Sequence, residues 1–334
     1  MTNISGPGVV ISRRTIVGTC AFGLLAIHPS INAQTAAKSP TVGWLSGPAR
    51  AGLTTFKESL RELGYVVARD VLLDILSPQR NESEEYARLA ATLVAHRVDV
   101  ILAANPLSLG AVTKATSSIP VVGVDLESDP VAKGWVVSLA RPGRNTTGFF
   151  LDIPEMSGKQ LQFLTEVRPG LSRVAVLGDP QINELQFRAT EAAARSAGLT
   201  VQLSQVTSAD DIQSAVAAVA VHRAGGLVAL TSPLVNRSLR RVADAALEHR
   251  LPSISGFVPS FAEAGGLLAY GPDFEDLFRR AAGYVVAILK GTAPGNLPVQ
   301  RPTKFRLVIN RKTAKLLGLK VPSSLLTLAD QLVD

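Results

Sequence analysis

Apolar residues in this chain gather into short continuous runs separated by stretches of helical period. Thr41–Leu45 (TVGWL), Val98–Ala103, Ile119–Val124, Arg173–Leu177 (RVAVL), Leu227–Leu230 and Ser253–Ser255 read as strands that are apolar throughout. Such strands predict a parallel sheet covered on both faces. Between them the pattern repeats every three to four residues: near Ala51–Leu63 before Gly64, Glu84–Arg97 with Leu89, Leu93 and Val94 on one side, and Leu107–Thr116. A second set follows: Glu184–Ala197 before Gly198, Asp210–His222, and Ser238–His249. That spacing predicts amphipathic helices, with glycines as stop signals. Val66–Leu76 and Thr200–Val206 add one strand to each set. Later, Gly265–Ala269 closes at Tyr270-Gly271-Pro272-Asp273, a long helix spans Phe274–Leu289, Leu297–Leu307 is extended, and a final helix covers Thr313–Leu317. The pattern predicts an α/β fold of two similar Rossmann-like lobes with parallel sheets. Ile119–Phe150 lies between the two sets and reads as the first crossing, its acidic turn (Asp125, Glu127, Asp129) facing the cleft.

Open parallel sheets bind ligands outside the carboxyl ends of their strands. Ser46 and Gly47, Asn105 and Asp125 follow strands of the first set; Asp179 and Ser232 follow strands of the second. Ser255 and Asn183 belong to the same edge. Each group opens a helix, where backbone N–H groups lack partners. The edge is richer in Asp, Glu, Ser and Asn than in Lys or Arg, which points to a ligand that carries donors, such as an ammonium. Helix capping by the same residue types is the alternative. Tyr270 lies near a second crossing, where its ring closes over a ligand or joins the core. His96-Arg97, His222-Arg223 and His249-Arg250 sit at helix carboxyl ends just before strands, the edge away from the ligand, and read as structural.

The amino end changes the picture of location. Ser12-Arg13-Arg14 precedes the apolar run Thr15–Ile27, then His28-Pro29-Ser30 and a small residue at Ala33. This reads as a signal peptide over 1–33 followed by a linker over 34–40, directing export to the periplasm by a Sec or twin-arginine route. The run is too short to span a bilayer comfortably. Cys20 is the single cysteine and has a poor lipobox before it, so no lipid anchor is expected and the mature chain has no disulfide or cysteine nucleophile. Net charge is +7 without a basic run, which argues against nucleic acid as a partner. No Gly-x-Gly-x-x-Gly follows a strand, and neither a Walker lysine motif nor a Gly-x-Ser-x-Gly elbow occurs; the histidines lie on the wrong edge for a metal. Neither enzyme activity nor a metal or cofactor is expected.

Longer matches point further. LRELGY at Leu60–Tyr65, IPVVGV at Ile119–Val124, DPVAKGWVVSLARPGRNTTG at Asp129–Gly148, EAGGLLAYGPD at Glu263–Asp273, ILKGTAPGNLPVQRPTKFRLVIN at Ile288–Asn310 and TAKLLGL at Thr313–Leu319 resemble the ABC-transporter substrate-binding family that includes tryptophan/tyrosine-type transport binding proteins. The resemblance implies a type I periplasmic-binding-protein fold with hinge crossings. Lobe one would then comprise 41–144 plus 271–292, and lobe two 145–270 plus 293–334. It further implies a monomer that binds a small molecule, an amino acid or related compound, between the lobes and delivers it to ABC permease subunits at the membrane. A periplasmic ligand sensor docking a receptor or histidine kinase is the alternative. GDPQINE after Leu177 and DLESDP after Val124 depart from the family pattern at the ligand edge.

Overall fold

The computed structural model describes residues 39–47, 50, 52–79, 82–125, 128–150 and 153–334. The signal segment, Cys20, His28, most of the linker and Glu127 lie outside the described residues. The chain begins β1 (Thr41–Leu45), α1 (Leu53–Glu62), β2 (Leu72–Leu76), α2 (Ser83–Ala95), β3 (Val100–Ala103), α3 (Pro106–Ala115), β4 (Val121–Asp125) and β5 (Thr146–Phe150). It continues with α4 (Ile153–Val167), β6 (Arg173–Gly178), α5 (Glu184–Ser196), β7 (Thr200–Gln205), α6 (Asp211–Val221), β8 (Leu227–Ala229), α7 (Pro233–Arg237), α8 (Leu239–Glu248) and β9 (Ser253–Ser255). Then come α9 (Ser260–Glu263), β10 (Leu268–Pro272), α10 (Phe274–Leu289), β11 (Phe305–Asn310), α11 (Arg311–Leu317), α12 (Ser323–Leu328) and β12 (Gln331–Val333).

Two sheets organise these elements. The first has the order β2-β1-β3-β4-β5 and is parallel throughout. The second has the order β12-β11-β10-β9-β8-β6-β7; β11 runs antiparallel to β10, and β12 lies parallel to β11. The expectation of parallel sheets therefore needs one correction, at the returning tail.

Alternation along the strands explains the two-sided cover. In the first sheet Val42, Trp44, Val100, Leu102, Val122 and Val124 share one core with residues of α1 and α10. Leu45, Ile101, Ala103 and Val121 share the other with α2 and α3. Trp44 anchors the first of these, its ring 5.2 Å from Phe56 and 5.6 Å from Phe278. The second sheet divides likewise between α6 and α8 on one face and α4 and α5 on the other. Full burial of each large side chain contributes about 1.5–3 kcal/mol.

Pairing moves the lobe boundaries. β5 pairs with β4 over Thr146–Phe150, so the first crossing falls after Phe150 and not at 144/145. β10 pairs with β9 as far as Ala269 and with β11 through Pro272, so 271 and 272 stay with the second sheet. Residues 293–300 remain beside lobe one: Val299 N donates to Leu139 O (2.7 Å), and Gln300 N to Gly148 O (3.0 Å). The tail leaves for the second sheet only between Gln300 and Phe305. Main-chain pairing overrides composition at all three places. The pattern also leaves out α4, α7, α9, α12 and β12. It reads Val66–Leu76 as one strand where Ala68 turns at φ 68° and Asp70 accepts from Val66 N (2.8 Å).

A polar clamp closes the crossings. Asp276, only 6% exposed, meets Lys304 Nζ at 2.7 Å and Arg280 at 3.5 Å. Arg280 also donates to Gln300 and Thr303 and lies 4.9 Å over the Phe149 ring. Burial pushes the Asp276 carboxyl up, but the hydrogen bond and charge of Lys304 and the charge of Arg280 outweigh it and leave the pKa below the usual value.

The three histidines stand as helix C-caps at residues 96, 222 and 249, and the arginine after each takes a left-handed backbone (φ 53°, 62° and 52°). Gly64 and Gly198 fill that position elsewhere. A side chain there is strained by about 1 kcal/mol. Arg223→Gly is expected to stabilise the chain by about 0.5–1 kcal/mol, read as a higher urea midpoint at unchanged slope.

Asp276→Asn is expected to cost about 1–3 kcal/mol near neutral pH by leaving Lys304 and Arg280 without their acceptor. The folded pKa is depressed, so the carboxylate's contribution is complete above the unfolded value near 4 and disappears as pH falls through the lower folded value. Denaturation at several pH values should therefore show the variant's deficit shrinking below about pH 4. A deficit that persists undiminished at pH 2 would mean that the ionised clamp does not stabilise the fold.

Candidate functional site

The carboxyl ends of β1, β3 and β4 in one sheet and of β6, β8 and β9 in the other carry the residues singled out from the sequence. Most are engaged in shaping their own loops. Ser46 Oγ is 2% exposed, accepts from Trp44 Nε1 (2.8 Å) and donates to Gly47 O (3.2 Å). Asn105 caps α3: its Oδ1 accepts from Ser108 N (2.8 Å), while Ser108 Oγ accepts from Asn105 N (3.0 Å). Asp125 is fully buried at the end of β4 and accepts from Ser128 N (3.2 Å). Asp179 accepts from Gln181 N (2.9 Å), and Ser232 caps α7 by accepting from Val235 N (3.2 Å). The Tyr270 ring lies between Phe163 (5.0 Å, edge-on) and Phe305 (5.7 Å, stacked), as part of the core.

Asn183 and Gln186 join the loops of lobe two. Asn183 Nδ2 donates to Thr231 O (2.6 Å), and Gln186 Oε1 accepts from both Thr231 N and Thr231 Oγ1 (3.0 Å each). Across the cleft, Tyr86 is wholly buried and its hydroxyl accepts from Asn105 Nδ2 (3.1 Å). Burial pushes the Tyr86 hydroxyl up to about 12; the Asn105 hydrogen bond and the positive charge of Arg237 oppose it. Arg237 ends α7 in the second lobe, so its charge reaches Tyr86 from the opposite wall.

One cavity joins the two walls. It has a volume of about 530 Å³ and is lined from lobe one by Leu107, Gly110, Lys114, Asp129 and Trp135, and from lobe two by Gln181, Ile182 and Leu185. The size suits a small organic ligand, and the mixture of apolar walls with a few polar groups is typical of such sites. Pro106, Leu107, Gly110 and Lys114 recur at helical spacing, so one stripe of α3 forms a wall. That stripe reads in sequence like any solvent face. Asp129, which the sequence places in an acidic turn facing the cleft, does line the cavity; Trp135, in the same stretch after β4, is not among the residues singled out from the sequence, although a tryptophan in such a polar stretch is the signal that could have found it.

Two α/β lobes, crossed three times by one chain, with a cavity between their facing carboxyl edges, define a small-molecule receptor of the periplasmic-binding kind. Comparison with known proteins agrees. The model of the family described as ABC transporter substrate binding protein matches residues 42–333, and the chain belongs to that family. Its class of function is solute binding for an ABC transporter. A tyrosine-binding protein of Clostridioides difficile is 25% identical over 269 residues, 79% of this chain and 76% of that one. A crystal structure of a conserved domain protein from Vibrio cholerae has a TM-score of 0.82 at 25% identity, covering 88% of this chain and 100% of that chain. A Streptococcus pneumoniae ABC domain in complex with L-Trp has a TM-score of 0.81 at 24% identity, with the same coverage.

Ser255 stands apart at this edge. It is fully buried at the end of β9, and its hydroxyl has no hydrogen-bond partner among the described residues. A buried polar group left unpaired costs about 1–3 kcal/mol. Ser255→Ala is expected to stabilise the ligand-free protein by up to about 1 kcal/mol, read as a higher unfolding midpoint. A loss of stability in the ligand-free variant would mean that the hydroxyl is satisfied within the fold.

Proposed function

We propose that the mature chain, freed of its signal over 1–33, works in the periplasm as a monomeric solute receptor and hands its ligand to separate ABC permease subunits. The reading rests on one observation above the rest: a single cavity with walls from both lobes, which gives a solute contacts to each lobe at once. Such contacts bias a two-lobed protein toward closure, because only the closed arrangement makes both sets. The tyrosine-binding relative and the L-Trp complex support a solute of amino-acid size or a related compound. In this reading Leu107, Trp135 and Ile182 touch the solute. Ser46, Gly47, Asn105, Asp125, Asp179 and Ser232 hold the loops that position those walls, and Tyr270 supports the crossing from the core.

The chain has two tryptophans, Trp44 buried in lobe one and Trp135 in the cavity wall. In a Trp44→Phe variant, fluorescence reports Trp135 alone. Titration with amino acids, amines, aromatic acids, sugars and nucleosides is expected to change that emission for one class of solute. The same class at about one hundred times its dissociation constant should stabilise the parent by about 2.7 kcal/mol, a midpoint shift of a few degrees. Trp135→Ala should abolish the shift. If every class leaves both signals flat, the chain does not act as a receptor for small solutes.

A further inference from the structure

The cavity's charges indicate which part of a solute it reads. Among the described residues four ionisable side chains line it: Lys114, Asp129, Lys133 and Glu184. Both acids are already engaged. Asp129 Oδ1 accepts from Val131 N (2.9 Å) and Ala132 N (3.1 Å), closing its own turn. Glu184 Oε1 lies 2.6 Å from Arg188 one helical turn on. Neither lysine has an acid within ion-pair distance among the described residues. With Glu184 paired to Arg188, the two lysines outnumber the remaining acid Asp129, whose charge the neutral N–H groups leave in place, so the balance of the lining is cationic although the edge is rich in Asp and Glu. The rest of the lining mixes apolar Leu107, Trp135, Ile182 and Leu185 with polar Ser128 and Gln181.

We propose that the cavity takes an organic anion, a carboxylate carried on an apolar body of about ring size. Lys114 and Lys133 receive the carboxylate, and Leu107, Trp135, Ile182 and Leu185 enclose the body. The proposal rests on the reading of the chain as a solute receptor and narrows its substrate class. It differs from the donor-bearing ligand that edge composition suggests, because one oxygen of each lining acid is already engaged, at Asp129 by backbone N–H groups and at Glu184 by Arg188, while both lysines lack an acid partner among the described residues. An amino acid satisfies the site through its carboxylate, and its amine is dispensable. Lysine ammonium groups attract a carboxylate as charge-assisted donors, the stronger kind of hydrogen bond.

Gly110 supplies a test that leaves the lysines alone. A Cβ added there meets no heavy atom within 4 Å, and the position is helical. Gly110→Leu therefore projects from α3 into the cavity without displacing core, and a helix gains stability when an interior glycine is replaced.

The experiment is thermal unfolding and calorimetric titration of residues 34–334 with solutes sorted by charge. The sets are carboxylates without an amine (indole-3-propionate, hydrocinnamate, hexanoate), amines without a carboxylate (tryptamine, phenethylamine), neutral sugars and nucleosides, and amino acids. Carboxylates are expected to bind, with amino acids equal or weaker, and amines and neutral solutes not at all. The Lys114→Gln/Lys133→Gln double variant should weaken carboxylate binding at least about tenfold. Gly110→Leu should abolish binding while keeping or raising the midpoint of the empty protein. Binding confined to amines or neutral solutes overturns the proposal and leaves the receptor reading intact. Carboxylate or amino-acid binding that survives both the double lysine variant and Gly110→Leu overturns it in the same way. No response in any set overturns both readings together.

Discussion

Three crossings tie the lobes, and hydrogen bonds between the crossings fix how the lobes meet. The third crossing is bound to the first where Phe150 N donates to Gln300 O (3.0 Å), and to the second where Asp273 N donates to Lys304 O (2.9 Å). The Asp276–Lys304 pair and the donors of Arg280 to Gln300 and Thr303 hold side chains of the same third crossing. Close backbone approach is part of the same constraint. Gly148 sits at φ 143°, where a Cβ would stand 2.0 Å from the carbonyl oxygen of Gly123. Only glycine lets β5 lie against β4 at the point where the chain prepares to leave the first sheet. Because the crossings are fastened together at one side of the molecule, the carboxyl edges of both sheets are turned toward the same cleft.

That arrangement explains the chemistry of the edge loops. A loop held between a buried strand and a helix has backbone groups that must find partners. Asp125, Asp129 and Asp179 each accept from N–H groups two or three residues ahead, and Asn105 and Ser232 do the same for helices. The density of Asp, Ser and Asn at the ligand edge thus follows largely from building short, rigid connections there. Rigid connections keep the walls on α3 and α5 at fixed positions, so the acidic residues serve recognition indirectly.

Much of this was legible in the chain. The apolar runs gave the strands and their parallel order because both sheets are covered on both faces, and the helix stops at Gly64 and Gly198 stand where glycine is free to turn left-handed. What composition could not fix was the ownership of segments near the crossings. Thr146–Phe150 and 293–300 belong with lobe one because of main-chain hydrogen bonds, and such bonds leave no mark on residue type. The short helix α7 was hidden for a different reason: Ser232-Pro233 reads as a turn, and a cap followed by proline at the first helical position gives the same letters. Residue types at the edge were recognised, but whether each faces a ligand or its own backbone depends on hydrogen-bond directions, which sequence does not carry.

The cavity wall shows the limit most plainly. Lys114 and Gly110 on α3 look like solvent positions, since a lysine and a glycine on a helix face carry no sign of concavity. They become a wall only because the loop at 128–135 folds over one side and Gln181–Leu185 approaches from the other lobe. A charge on an open helix is screened within about 8–10 Å by salt, whereas the same charge inside a cleft with apolar walls acts at short range on whatever enters. Lys114 and Lys133 line the cavity while staying solvent-exposed, so they stand between these two cases, beside walls whose positions are set by the crossings.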